Sequence, residues 1–83
     1  MHERRLVGGL ADAVGRAAGD DVARVTQVRV LVGALAAVDP SWLRAGLGDL
    51  VRGRWGAAPD IVVETAGDGA SDQVRLVGVT VGG

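Results

Sequence analysis

The sequence predicts an α+β fold with the element order α-β-α-β-β, in which two helices pack on one face of a small three-stranded mixed sheet. Three observations support this prediction. Two segments repeat apolar residues at the helical period, three segments alternate as strands do, and glycine or proline residues separate them. A helical crossover joins parallel strands, whereas a short turn joins antiparallel ones. With 83 residues, the chain is expected to form a single domain over residues 1–83.

The first helix is predicted from Glu3 to Ala18, because apolar residues recur there every four positions. Three glycines in this segment each lower its helix propensity by up to about 1 kcal/mol relative to alanine, so packing must stabilise it. Gly19 is expected to end the helix. The apolar positions are Leu6, Leu10, Val14 and Ala18.

The first strand is predicted from Val22 to Ala34, since this segment is rich in valine and alternates. Its core face is expected to carry Val28, Val30, Val32 and Ala34. Val25 and Leu31 are expected on the opposite face. If that face is incompletely covered, it offers an apolar surface to a partner or to a second copy of the chain.

Asp39 and Pro40 predict the start of the second helix, because aspartate caps the first amides and proline has no N–H to leave unpaired in the first turn. Gly53 is expected to end this helix. Its apolar stripe is predicted to contain Trp42, Leu43, Leu47, Leu50 and Val51.

Two further strands are predicted, from Ile61 to Thr65 and from Gln73 to Val81, with a turn at Ala66 to Asp72 between them. In the last strand Val77, Val79 and Val81 alternate with other residues.

The composition excludes several classes of function. The chain has no cysteine, so disulfides, thiolate zinc sites and iron–sulfur clusters are ruled out. It lacks lysine and has one histidine, at position 2, so the common nucleophilic machinery is incomplete and no enzymatic activity is expected. A net charge of −1 predicts no attraction to nucleic acid or to an anionic membrane. No apolar run approaches the roughly 20 residues that span a bilayer, and no signal-peptide core is present, so a cytoplasmic protein is expected.

Met1, His2 and Glu3 form a candidate metal site. The α-amine of Met1, the amide nitrogen of His2 and its imidazole would close a five-membered and a six-membered chelate ring. Square-planar nitrogen coordination of this kind is typical of Ni(II) or Cu(II). If a helix begins near Glu3, an amide given to the metal breaks no intrahelical hydrogen bond. The simpler alternative is a frayed chain end without function.

Several motifs in this order resemble the nickel-incorporation proteins of hydrogenase and urease maturation, the HypA/HybF family. Members of that family begin with MHE and a helix, and then have a strand that ends in VG-x-L, followed by V-x-P and x-x-L. The matching residues are Met1, His2 and Glu3, then Val32, Gly33, Leu35, Val38, Pro40 and Leu43.

The resemblance implies a metallochaperone-like domain that binds Ni(II) through the first amine, His2 and nearby amides. It implies as partner a maturing nickel enzyme of hydrogenase or urease type, or its maturation GTPase. In the family, a zinc domain with two C-x-x-C pairs is inserted before the last strand. Here the turn Ala66 to Asp72 stands in that place and no zinc is expected. The strands that flank the insertion are expected to lie side by side, joined by a tight turn.

Two features of the sequence allow more than one interpretation. Arg4 and Arg5 depart from the family pattern and place positive charge beside the proposed cation. The alternative function is therefore a metal-free protein-interaction or dimerisation domain, a degenerate homologue that docks on a hydrogenase-type partner or forms a homodimer. The segment Arg52 to Trp55 is compatible with packing of the indole, with contact to a protein or with stacking on a nucleic-acid base.

Overall fold

The computed structural model describes residues 2–66 and 72–82, apart from the side chains of His2 and Glu3. The predicted α+β class and element order are confirmed. The elements are helix α1 (His2–Ala18), a 3₁₀ helix (Gly19–Arg24), strand β1 (Val25–Val32), helix α2 (Pro40–Trp55), strand β2 (Asp60–Thr65) and strand β3 (Val74–Val81).

The three strands lie in the order β2-β1-β3. Strand β1 is parallel to β2, as the crossover through α2 requires, and antiparallel to β3. The prediction that the last two strands lie side by side is therefore wrong. The most buried strand, β1, takes the centre, where both of its edges are hydrogen-bonded.

The described ends of the connection between β2 and β3 lie beside the end of β1. Ala66 N–H donates to Val32 O at 2.9 Å, and Gly33 N–H donates to Gln73 O at 2.7 Å. The two ends of the connection are thus tied to β1 on opposite sides and span two strand spacings, roughly 10 Å. Residues 67–71 of the predicted turn lie outside the described residues.

Both helices pack on one face of the sheet and form one apolar core with it. Helix α1 contacts β3, and α2 contacts β2, so each helix covers an edge strand. The core confirms the predicted inward positions of the first strand at Val28, Val30 and Val32. The largest fully buried side chains are Leu43, Leu47, Val14, Val28, Val30 and Val51.

The first strand is shorter than predicted, because a 3₁₀ helix that begins at Gly19, with a positive φ of 59°, extends to Arg24. Val25, predicted on the open face, is only 4% exposed and belongs to the core. The cause is a β-bulge. Val25 pairs with Val81 and Gln27 pairs with Thr80, so Thr26 is an extra residue without a partner on β3. One extra residue reverses the faces on its two sides.

A second bulge changes β3. Arg29 pairs with Gly78 and Val30 with Leu76, which leaves Val77 without a partner in the ladder. Val77 is 53% exposed, so its predicted alternation with Val79 and Val81 is wrong at this residue. Ala34, predicted on the core face of the first strand, is exposed and lies beyond the end of β1.

Helix α2 begins as predicted and ends later than predicted. The carboxylate oxygen Oδ1 of Asp39 accepts a hydrogen bond from Ser41 N–H at 2.9 Å, and Pro40 occupies the first turn. The helix continues past Gly53 to Trp55. Its end is at Gly56, which has a φ of 72° and donates its N–H to Arg52 O at 2.8 Å.

No helix in the described ranges has both the length and the apolar character needed to cross a membrane.

Candidate metal site and surrounding surfaces

The three predicted metal ligands lie at the limit of the described residues. Met1 is outside them, and for His2 and Glu3 the structure describes the backbone alone. That backbone forms the first turn of α1. Amides in a first helical turn have no acceptor four residues earlier, so they are free to bind something else.

The first turns of α1 lie between the start of α2 and the start of β3. Arg4, Val7 and Gly8 line one groove of about 450 Å³ with residues of α2 that include Trp42. Arg5 lines a second groove of about 320 Å³, whose far wall comes from the first residues of β3. Because α2 starts after the carboxyl end of β1, the start of α1 lies at the end of the molecule where the parallel strands β1 and β2 finish.

Arg4 and Arg5 flank the candidate site on different sides. Both are exposed, and neither forms an ion pair with the side chains that the structure describes. Arg4 lines the groove beside α2, and Arg5 lines the groove beside β3. Their repulsion of a bound cation is thus that of solvated charges, which salt screens within about 10 Å at 0.1 M ionic strength.

Gly46 lines the groove between the helices. A Cβ atom there would lie 3.5 Å from Cγ2 of Val7, in ordinary van der Waals contact. Trp42, at the rim, is 37% exposed and does not belong to the buried stripe predicted for α2. The helical period could have shown this, because Leu43 and Leu47 define the inward direction and Trp42 precedes Leu43 by one residue, about 100° around the helix.

In the segment Arg52 to Trp55, the indole packs within the fold. The indole of Trp55 is half-buried and lies against the core and against Gly15 of α1. The guanidinium of Arg54 donates to Asp12 Oδ1 at 2.6 Å and lies 5.7 Å from the centre of the Trp55 ring. Arg54 therefore joins the two helices at the surface.

The sheet face away from the helices is not covered by any described element, and we call it the open sheet face. Arg29 spans two strands there and donates to Glu64 Oε1 through Nη2 at 2.6 Å and through Nε at 3.1 Å. Leu31, predicted on this face, is half-buried beside this ion pair. By strand alternation and pairing, the face carries Gln27, Arg29 and Leu31 of β1, Asp60, Val62 and Glu64 of β2, and Arg75, Val77, Gly78 and Thr80 of β3.

Among the described side chains, no group of three or more histidine, aspartate or glutamate residues is placed to hold a metal ion. Met1 and the side chains of His2 and Glu3 lie outside the described part of the chain.

No protein-family model and no curated protein matches the sequence. The resemblance to the nickel-incorporation proteins rests on the quoted motifs and stays a prediction.

Proposed function

We propose that this is a non-enzymatic nickel-binding domain, similar to a metallochaperone, which holds Ni(II) through the amine of Met1 and the amide and imidazole nitrogens of His2. Glu3 adds a carboxylate beside the ion. The observation that carries the proposal is the start of α1 at His2. The ligand amides belong to a first helical turn, so metal binding displaces no backbone hydrogen bond.

The electrostatics of this position favour a contribution of the Glu3 carboxylate to nickel binding. The positive end of a helix dipole disfavours a cation. Deprotonated amides and a carboxylate offset this effect, because each brings negative charge to the ion. Removal of the Glu3 charge should therefore weaken nickel binding without abolishing it.

Delivery of the metal requires a partner surface near the site. Leu35 follows the carboxyl end of β1, at the end of the molecule where α1 begins, and is 65% exposed. We infer that a maturing nickel enzyme or its maturation GTPase would contact this end. An apolar side chain beside an exchangeable ion suits such a transient contact.

Isothermal titration of Ni(II) into the protein tests the proposal, after the intact mass has established that Met1 carries a free amine. We expect one Ni(II) per chain for the wild type, and loss of tight binding for His2→Ala and for protein acetylated at Met1. The matched control is the double substitution Asp20→Asn and Asp21→Asn, which removes adjacent exposed carboxylates elsewhere and should leave the affinity unchanged. Equal affinities of wild type and His2→Ala would overturn the proposal.

The open sheet face favours a second candidate function, a metal-free interaction domain. Val77 is 53% exposed there and Leu31 is half-buried, so the face combines apolar contacts with charges. An interaction through this face does not require His2. Association that persists in His2→Ala but is lost in Leu31→Glu would support this function, and the reverse pattern would contradict it.

A further inference from the structure

We propose that a second copy of this chain packs face to face on the open sheet face, related by a twofold axis that runs along β1. The inference rests on the second candidate function and specifies its partner. It is independent of nickel.

The charges on this face are arranged in rows across the sheet. Leu31 pairs with Glu64 on one side and with Arg75 on the other, so an acid and a base stand at the same level of the two edge strands. Glu64 also accepts hydrogen bonds from Arg29. Arg75 is exposed and forms no ion pair with the side chains that the structure describes. The guanidinium of Arg75 can therefore form an ion pair with another molecule.

A twofold axis along β1 makes this row complementary to itself. Such an axis places β2 of one copy over β3 of the other, and Leu31 over Leu31. Each Glu64 then faces the Arg75 of the second copy, and the pair occurs twice in the dimer. Packed sheets are about 10 Å apart, a distance that an arginine and a glutamate can bridge together.

The apolar residues follow the same symmetry. In the next row the axis places Arg29 over Arg29, and each of these guanidinium groups is neutralised by the Glu64 of its own chain. Arg29 pairs with Val62 on β2 and with Gly78 on β3, and the bulged Val77 stands beside Gly78. The same axis places Val62 of one copy over Val77 and Gly78 of the other. The exposed side chain created by the bulge thus acquires an apolar neighbour.

The alternative twofold axis, perpendicular to the strands, is unfavourable. It would place β2 over β2, and both charged residues on the outward side of β2 are acidic, Asp60 and Glu64. It would also place β3 over β3 and bring Arg75 near Arg75. Like charges opposed across an interface repel, so the axis along β1 is preferred.

The size of the face sets the expected affinity. Three strands about 4.8 Å apart and six residues long cover roughly 15 by 20 Å. Such a patch, roughly 600 Å² over both copies, is smaller than a standard interface, so the contact is expected to be weak and transient. We therefore expect a weak dimer, and the measurement must reach protein concentrations near 1 mM.

Sedimentation velocity over a range of concentrations tests this inference, with EDTA present to exclude metal bridges. The wild type should pass from monomer to dimer as its concentration rises. Arg75→Glu should raise the dissociation constant at least about tenfold, because it opposes two pairs of carboxylates. Arg16→Glu, the same change at an exposed position on α1, is the matched control and should dimerise like the wild type.

A mixture of two variants gives the sharper test. In the row of Leu31, Glu64→Arg has a base on both edge strands and Arg75→Glu has an acid on both. Neither variant should dimerise alone, because like charges would face each other, but a mixture of the two should form a dimer. If Glu64→Arg does not fold after losing its contact with Arg29, Leu31→Glu replaces it as a second disruptive variant.

A wild type that stays monomeric at 1 mM, or Arg75→Glu that dimerises like the wild type, would overturn the inference. His2→Ala should dimerise normally, so failure of the nickel proposal leaves this result unaffected, and a dimer lost in that variant would count against the sheet face.

Discussion

The indole of Trp55 lies directly against Gly15, and a Cβ atom on Gly15 would stand 3.0 Å from Cζ2 of the ring. This contact joins the last turn of α2 to the last turns of α1. It explains why α2 continues past Gly53, since a helix that stopped there would not carry the indole to this place. Gly15 thus weakens α1 locally but permits the two helices to approach.

Gly15→Val should destabilise the protein by about 1–3 kcal/mol, because the added methyl groups force the indole out of its place. Gly9→Val is the matched control in the same helix, since a Cβ on Gly9 meets no heavy atom within 4 Å. Urea unfolding followed by tryptophan fluorescence measures both variants. Equal unfolding free energies for the two variants would contradict the claim that the contact with Trp55 requires glycine at position 15.

Asp39→Ala should lower the free energy of unfolding by about 1 kcal/mol, because it removes the oxygen that accepts the Ser41 N–H at the start of α2. Asp39→Ser supplies another capping oxygen and should retain most of the stability. Thermal unfolding by circular dichroism compares the three proteins. A serine variant as unstable as the alanine variant would contradict the capping role.

Leu47→Ala should cost about 2–5 kcal/mol, because Leu47 is fully buried and its truncation leaves a cavity. A domain of this size is stable by only about 0.05–0.15 kcal/mol per residue, so the variant should lie near the limit of folding. Leu35→Ala is the same substitution at an exposed position and should change the stability by less than about 0.5 kcal/mol. Similar losses in both variants would contradict the assignment of the core.

The element types and their order could be predicted from the sequence because the apolar periodicities are strong and Asp39 with Pro40 marks a helix start. The strand order could not, since nothing local decides whether the last strand pairs with β2 or with the free edge of β1. The sequence also could not show that Val25 lies on the core face, because the bulge at Thr26 arises from pairing with β3. Gly53 and Gly56 are equally good helix stops in sequence, and the contact of Trp55 with Gly15 selects the second.

The candidate metal site depends on residues whose side chains lie outside the described part of the chain, so the sequence carries this prediction. The structure adds the start of α1 at His2 and the placement of Arg4 and Arg5 beside two different grooves. The pairing of Arg54 with Asp12 was not foreseeable, because these residues are 42 positions apart.

Nickel affinity should rise with pH, because the metal displaces protons from its nitrogen ligands. The reference pKa is about 7.7–8.0 for an α-amine and about 6.5 for imidazole, so below pH 7 protons compete with the ion. We expect the apparent dissociation constant to fall at least about tenfold for each pH unit between 6 and 7.5. An affinity that is constant above pH 5 would instead indicate carboxylate ligands, which are already ionised there.

Nuclear magnetic resonance of the nickel-loaded protein tests the central claim most directly. Square-planar Ni(II) is diamagnetic, so one equivalent should shift the amide signals of Arg4, Arg5 and Leu6 while leaving them sharp, and His2→Ala should show no such shifts. Broadened signals would indicate a paramagnetic ion with additional oxygen ligands. That result, or identical shifts in wild type and His2→Ala, would contradict nickel binding by Met1 and His2.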